Sequence, residues 1–263
     1  MVGKLDGRVA VVVGAGQTPG ETIGNGRATA LTFAREGARL VLVDRHRDRA
    51  EATAVEIDGD TVVVAADIAS DEGPEQVVAA ALDAFGGIDI LHNNVGIGMG
   101  DGPPHRLTDD AYDRIMDVNL RALWRTCRAA TPALRASDHG AIVSVSSLAA
   151  IASATNLTAY KLSKAGVNAL TQSLALANAK YGMRANAIMP GFVDTPMGVD
   201  AAADALQIDR ATYAASRAER VPLGRQGSAW DVAKAALFLA SDDAAWITGV
   251  VLPVDGGQSA RIG

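Results

Sequence analysis

"VAVVVGAGQTPGETIGNG", residues 9–26, runs from five apolar residues straight into a stretch with five glycines in thirteen positions. A short β-branched run that stops at glycine reads as a buried strand. Glycines between a strand and a helix let the backbone approach a pyrophosphate, and the helix start beyond them offers unpaired N–H groups and a positive dipole end. The spelling departs from G-x-G-x-x-G, because Gly14 and Gly16 are followed at the third place by Pro19. Two registers are open. Either Gly14 turns the chain and Gly24 and Gly26 serve the helix start after an excursion, or Gly20, Gly24 and Gly26 form the whole motif. The first is preferred, since a turn is needed where the strand ends.

Beyond this turn, short β-branched runs alternate with longer helical patterns, the signature of βαβ units and of a parallel sheet buried on both faces. Strands are expected at 8–13, 39–43, 61–65, 88–92, 141–145, 184–188 and 250–254. Seven such strands suit an α/β fold of the Rossmann type, doubly wound, with a seven-stranded parallel sheet flanked by helices on both faces. One domain over 1–263 is expected, since no compositional break marks a linker and no repeat is present. Helical patterns cover 109 to about 130, 159–180 and 229–240. Another, "GRATALTFAREGA" (26–38), sets Ala30, Leu31 and Ala34 on one face and stops at Gly37. Pro253 cannot donate to a ladder, which puts the last strand at the border of the sheet.

Composition excludes several classes of function. The net charge of −6 argues against nucleic acid, and the basic run "RHRDR" (45–49) reads as a solvated helix start. The single cysteine, Cys127, rules out an intramolecular disulfide and a thiolate metal cluster and fits a reducing, cytoplasmic compartment. His46, His92, His105 and His139 lack metal-ligand spacing, so no metal is assigned. The N-terminal apolar run is far shorter than the ~20 residues of a membrane span, and no membrane partner is expected.

Ligands of open parallel sheets bind outside the carboxyl ends of the strands. Polar residues gather there: Gly14, Asp44, Asp67, Asn93 with Asn94, Ser146 with Ser147, and "PGFVDT" (190–195). Asp44 follows Gly26 by 18 residues, a distance suited to a carboxylate that binds the adenosine ribose hydroxyls. It would repel a 2′-phosphate, so NAD is favoured over NADP, although Arg45 and Arg47 keep an NADP reading open. "AYKLSKAG" (159–166) puts Tyr160 and Lys164 on one helical face. A tyrosine with an ordinary pKa of ~10 acts as a base near neutrality only beside a cation, which Lys164 can supply.

Over nearly its whole length the chain resembles the short-chain dehydrogenase/reductases. The resemblance rests on Tyr160 and Lys164 with Ser147 thirteen residues before the tyrosine, on "NNVG" (93–96), on Asn119 in "MDVNLRALW", and on Asp67 in "AADIA". "PGFVDT", "GRQG" (224–227) and "ITGVVLPVDGG" (247–257) complete it, while Ser146 and Ser144 remain alternatives to Ser147. The resemblance implies a catalytic set of Asn119, Ser147, Tyr160 and Lys164. Tyr160 would move the substrate hydroxyl proton and Lys164 would lower its pKa. Ser147 would donate to the substrate oxygen, and Asn119 would hold a relay water. NAD would be bound by Gly14, Gly16, Gly24, Gly26, Asp44, Asp67, Ile68, Asn94, Gly96, Tyr160, Lys164, Pro190, Gly191, Val193 and Thr195, with Thr195 at the carboxamide.

The same resemblance implies a homotetramer and a substrate lid at about 196–221, whose Met197, Leu206, Ile208 and Tyr213 suit a largely apolar alcohol or ketone. The expected activity is NAD-dependent interconversion of a secondary alcohol and a ketone. The alternatives are an NADPH-dependent 3-oxoacyl thioester reductase and a non-catalytic NAD-binding protein on the same fold. Two departures from the family pattern bear on the glycine turn. Val13 stands for the usual threonine, and about six residues, 17–22, are added. Val95 also replaces the customary alanine beside the turn.

Overall fold

The computed structural model describes residues 2–152 and 155–261. Met1, Ile262 and Gly263, the extremes of the expected domain, lie outside the described residues. Seven parallel strands form the main sheet: β1 (Val9–Val13), β2 (Arg39–Asp44), β3 (Thr61–Ala65), β4 (Ile90–Asn93), β5 (Ala141–Val145), β6 (Arg184–Pro190) and, after the short β7 (Val193–Asp194) and β8 (Gly227–Ser228), β9 (Val251–Val254). Their order is β3-β2-β1-β4-β5-β6-β9, so the direction of winding reverses between β1 and β4. A crevice opens at such a reversal, at the carboxyl ends of the two strands. Pro253 sits on the border strand opposite Met189, as its missing N–H requires.

Helices α1 (Asn25–Arg35), α2 (Arg47–Ala54), α3 (Gly73–Phe85), α4 (Asp109–Met116), α5 (Ala122–Ala136), α6 (Thr158–Asn178), α7 (Ala201–Leu206), α8 (Arg210–Ala218) and α9 (Ala229–Ala240) join the strands. All five residues of β1 are buried, and Ala10 to Val13 alternate between two cores. Val11 and Val13 pack with Val77 of α3, Leu123 and Leu134 of α5 and Val167 of α6. Ala10 and Val12 pack with Ala30 and Phe33 of α1 and with Val232 and Leu239 of α9. This two-sided burial is what makes the central strands read as unbroken apolar runs.

Several helix limits follow from local chemistry. Ser228 and Asp231 form a capping box that starts α9, and Gly37, at φ +86°, ends the α1 region with its N–H on Ala34 O. Pro74 in the first turn and Gly86 at φ +78° bound α3. The helix expected from 109 to about 130 is present and runs to Ala136, with a wider π-helical turn, Asp117–Arg121, between α4 and α5. Asn119 lies in that turn with its side chain drawn out of the helical ladder toward Ile97.

His92 on β4 is fully buried, with its ring edge-on to Phe33 at 6.0 Å between centroids. Burial pushes its imidazole down to about 4. Between pH 6.5 and 4 the unfolded chain binds a proton that the folded chain refuses, so stability falls as pH drops through that window. The loss reaches about 3 kcal/mol near pH 4. Urea titrations from pH 7 to 4 should therefore show a steeper acid loss for the unaltered protein than for His92→Leu. Parallel curves would refute the assignment.

Candidate active site

Gly14 closes β1 at φ +83°, a left-handed conformation suited to glycine, with its N–H on Val43 O at 2.8 Å. Gly26, in the first turn of α1, comes so near that an added Cβ would lie 1.9 Å from Gly14 O. Gly24 is the N-cap of α1 and brings no side chain, while Gly20 lies away from the strand end against Pro196. The chain thus follows the first of the two registers. Asn94 braces the turn in place of the missing threonine: its Nδ2 donates to Gly14 O at 3.2 Å and its N–H to Val13 O at 3.0 Å. Val95 packs on the same turn, its Cγ2 2.9 Å from the Cβ position of Gly14.

Asp44, at the end of β2, faces Gly16. Its Oδ2 accepts from Gly16 N at 3.2 Å and its Oδ1 from His46 N at 2.9 Å, and a Cβ on Gly16 would lie 2.5 Å from Oδ2. Exposed Asp67 follows β3 and accepts from Ala69 N at 2.9 Å, beside buried Ile68. Pro190 ends β6, and Gly191 donates to Val254 O at 3.1 Å. Val193 is buried, and buried Thr195 accepts from Gly198 N at 3.1 Å.

Ser147 follows β5, and α6 carries Tyr160 and Lys164. Of the three candidate serines, Ser147 is the one whose hydroxyl acts on the Tyr160 phenol, and its Oγ accepts from Ala149 N at 3.2 Å. Ser146 donates to Lys164 O at 3.1 Å, and Ser144 lies on β5 beside Asn93. Lys164 is 2% exposed, its Nζ donates to Val145 O at 2.8 Å, and it stands 5.8 Å from the centroid of the Tyr160 ring. A Cβ on Gly96 would lie 3.0 Å from that Nζ. Burial pushes the lysine down to about 8. Burial also raises the Tyr160 phenol above its ordinary value, with the Ser147 hydroxyl pulling the other way. This is opposite to the expected direction, because burial of the phenol dominates.

Asn119 is fully buried and its amide is committed. Oδ1 accepts from Ile97 N at 2.8 Å, while Nδ2 donates to Ile97 O at 2.9 Å and to Ser163 Oγ at 3.0 Å. The side chain therefore braces the strand-end segment instead of presenting both amide hydrogens to a water. Together the cluster combines a phenol, a serine hydroxyl and a buried amine within one strand-loop-helix unit, a set able to move a proton at an oxygen.

The sequence matches the family described as enoyl-(acyl carrier protein) reductase over residues 21–259. The chain belongs to the short-chain dehydrogenase/reductase family. Members of this dehydrogenase/reductase family are NAD(P)-dependent oxidoreductases. The chain is 33% identical to the 2,5-dichloro-2,5-cyclohexadiene-1,4-diol dehydrogenase LinX of Sphingobium indicum, with all of both chains covered. It is 37% identical to the L-rhamnose 1-dehydrogenase (NAD(P)(+)) of Azotobacter vinelandii, covering 90% of this chain and 93% of that one. The crystal structure of a levodione reductase superposes with a TM-score of 0.92 at 32% identity, covering 98% and 100% of the two chains.

One residue of this cluster has no signal in the sequence. Asp101, in the segment after β4, caps α6 from 59 residues away: Oδ2 accepts from Tyr160 N at 2.8 Å and Oδ1 from Ala159 N at 3.1 Å. Leu157, the helix's own N-cap, offers no side-chain acceptor. Gly98 of the same segment lies along the Tyr160 ring, where a Cβ would sit 3.5 Å from Cδ2. Spacing alone cannot say which helix start a remote aspartate serves. Among the described residues no group of His, Cys, Asp and Glu could hold a metal, and no helix is long and apolar enough to cross a membrane.

Proposed function

We propose that the protein is an NAD-dependent oxidoreductase that interconverts a secondary alcohol and a ketone, using Ser147, Tyr160, Lys164 and Asn119. The observation that carries this reading is the convergence of Ser147, Tyr160 and buried Lys164 in one strand-loop-helix unit, with Lys164 Nζ 5.8 Å from the centroid of the Tyr160 ring. The crevice fits a dinucleotide: a side chain on Gly14, Gly16 or Gly26 would collide with the Val95 side chain, with Asp44 or with the Gly14 carbonyl respectively, and the start of α1 is left without a side-chain cap. Gly14, Gly16, Gly24 and Gly26 would hold the pyrophosphate, Asp44 the adenosine ribose, and Asp67 with Ile68 the adenine. Asn94, Gly96, Lys164 and the 190–195 segment would hold the nicotinamide end. NAD, when bound, supplies the hydride acceptor.

The protein's own residues handle the proton. Tyr160 Oη accepts the proton of the substrate hydroxyl, and the Ser147 hydroxyl donates to the substrate oxygen as charge develops there. Lys164, brought down to about 8, can take up or release a proton near neutral pH. Asn119 fixes the Ile97 backbone beside them. The relatives named for a diol and a sugar support a hydroxyl substrate, and the exposed Met197, Leu206 and Ile208 of the 196–221 lid support an apolar one. One domain and a homotetrameric assembly complete the reading.

The coenzyme preference rests on Asp44, whose carboxylate a 2′-phosphate would approach as a like charge. Competing fluorescence titrations should show NADH binding at least about tenfold tighter than NADPH, a difference of ~1.4 kcal/mol. Tighter NADPH binding would refute the preference. A screen of secondary alcohols with NAD at alkaline pH identifies the substrate class, and inactivity across it with NADH bound would favour the non-catalytic alternative.

A further inference from the structure

The excursion at 17–22 is built into the molecule at both ends. Gln17 closes its base, with Nε2 donating to Thr22 O at 3.2 Å and Oε1 accepting from Gly24 N at 2.9 Å. Its outer side meets the segment after β7. Gly20 packs on Pro196 so closely that a Cβ would lie 2.7 Å from the ring. Glu21 N donates to Asp200 Oδ1 at 3.0 Å, and Thr22 Oγ1 donates to Asp194 O at 3.2 Å and to Asp194 Oδ1 at 3.3 Å.

Arg210, the first residue of α8, ties these contacts together. Its Nη2 donates to Asp194 Oδ1 at 2.6 Å, and its Nε lies 3.2 Å from Asp200 Oδ1 and 3.5 Å from Glu21 Oε2. The arginine, Asp194 and Asp200 side chains are 20, 29 and 16% exposed, whereas Glu21 is 72% exposed and adds little. Partial burial disfavours the Asp200 carboxylate, but the Glu21 amide and the Arg210 guanidinium outweigh it and hold the group below its usual range. One acid of β7, Asp194, and one of the lid, Asp200, are thereby committed to one guanidinium. Remove that cation, and two neighbouring carboxylates are left without their shared partner.

We infer that Arg210 is a positioning residue that latches the 194–210 segment onto the glycine turn through Asp194, Asp200 and Thr22, so that a bound dinucleotide leaves only when this cluster opens. The inference rests on the dinucleotide reading above. The latch also fixes Asp194, and through it the adjoining Thr195, relative to Gly24 at the start of α1. Without residues 17–22 the lid would have no partner on that side, which gives the added residues a physical role.

The test uses the full chain with Arg210→Met, which keeps much of the aliphatic stem, together with Arg210→Lys and Thr22→Val. Hydrogen exchange is followed by mass spectrometry in the ligand-free protein, and NADH release by stopped-flow chase. Arg210→Met should raise exchange in 17–24 and 195–208 together and speed NADH release by about tenfold, the scale set by losing a partly buried charge-assisted network. Thr22→Val should raise exchange in 195–208, and Arg210→Lys should restore part of both effects. Faster exchange confined to 195–208 in Arg210→Met would overturn the latch, as would an unchanged release rate. If the unaltered protein fails to bind NADH, the coenzyme reading falls, and with it the release half of the inference. Coupled exchange then decides by itself whether the two segments are joined.

Discussion

Tyr160→Phe should lower turnover by about 10²–10⁴-fold, the range for losing a positioned general acid–base group. NADH should still bind. The substitution keeps the ring that packs along Gly98 and removes only the phenol oxygen. The backbone of α6 is held at that point by Asp101, which accepts from Tyr160 N whatever the side chain. Folding and the coenzyme cradle are therefore left intact, and the loss falls on the proton step. Because burial raises the phenol, the unaltered enzyme should oxidise alcohols faster as pH rises toward the alkaline range. Steady-state rates from pH 7 to 10, with NADH affinity measured on the same samples, check both statements. Turnover close to that of the unaltered protein would remove Tyr160 from the mechanism.

How much of this was legible in the sequence depends on how local each interaction is. The strands read well because β1, β4 and β5 are buried along their whole length, and the helix expected at 229–240 matches α9, whose start a Ser228–Asp231 capping box fixes. The α3 and α8 elements gave weaker signals. Beyond its first turn α3 buries only Val77 and Ala81, and α8 buries no residue fully, so their apolar stripes are thin. Ser147, Tyr160 and Lys164 were legible because they lie in one strand-loop-helix unit, where spacing stands in for distance. Asp101 and Arg210 were not, since their partners lie 59 and up to 189 residues away in the chain. The direction of the Tyr160 shift was also hidden. It follows from how deeply the phenol is buried, which a four-residue spacing leaves open.

Lys164→Met should separate stability from activity. The unaltered lysine is fully buried and brought down to about 8 from 10.5, so below pH 8 the folded chain carries a charge that burial disfavours by about 3 kcal/mol. Methionine fills the same space without the charge but leaves Val145 O without its donor, a loss of about 1–2 kcal/mol. The variant should therefore be more stable at pH 7 by about 1–2 kcal/mol. Between pH 8 and 10.5 the unfolded chain keeps a proton that the folded chain has released, so the unaltered protein gains stability as pH rises. The advantage of the variant should shrink over that same window. Turnover should meanwhile fall by about 10²-fold or more, because the amine that handles protons beside Tyr160 is gone. Denaturant unfolding at pH 7 and pH 10, run beside rate measurements, tests both halves. A variant that is less stable at pH 7 and equally sensitive to pH would mean that the buried lysine carries no such cost, and its presence in the core would then have to be explained by packing alone.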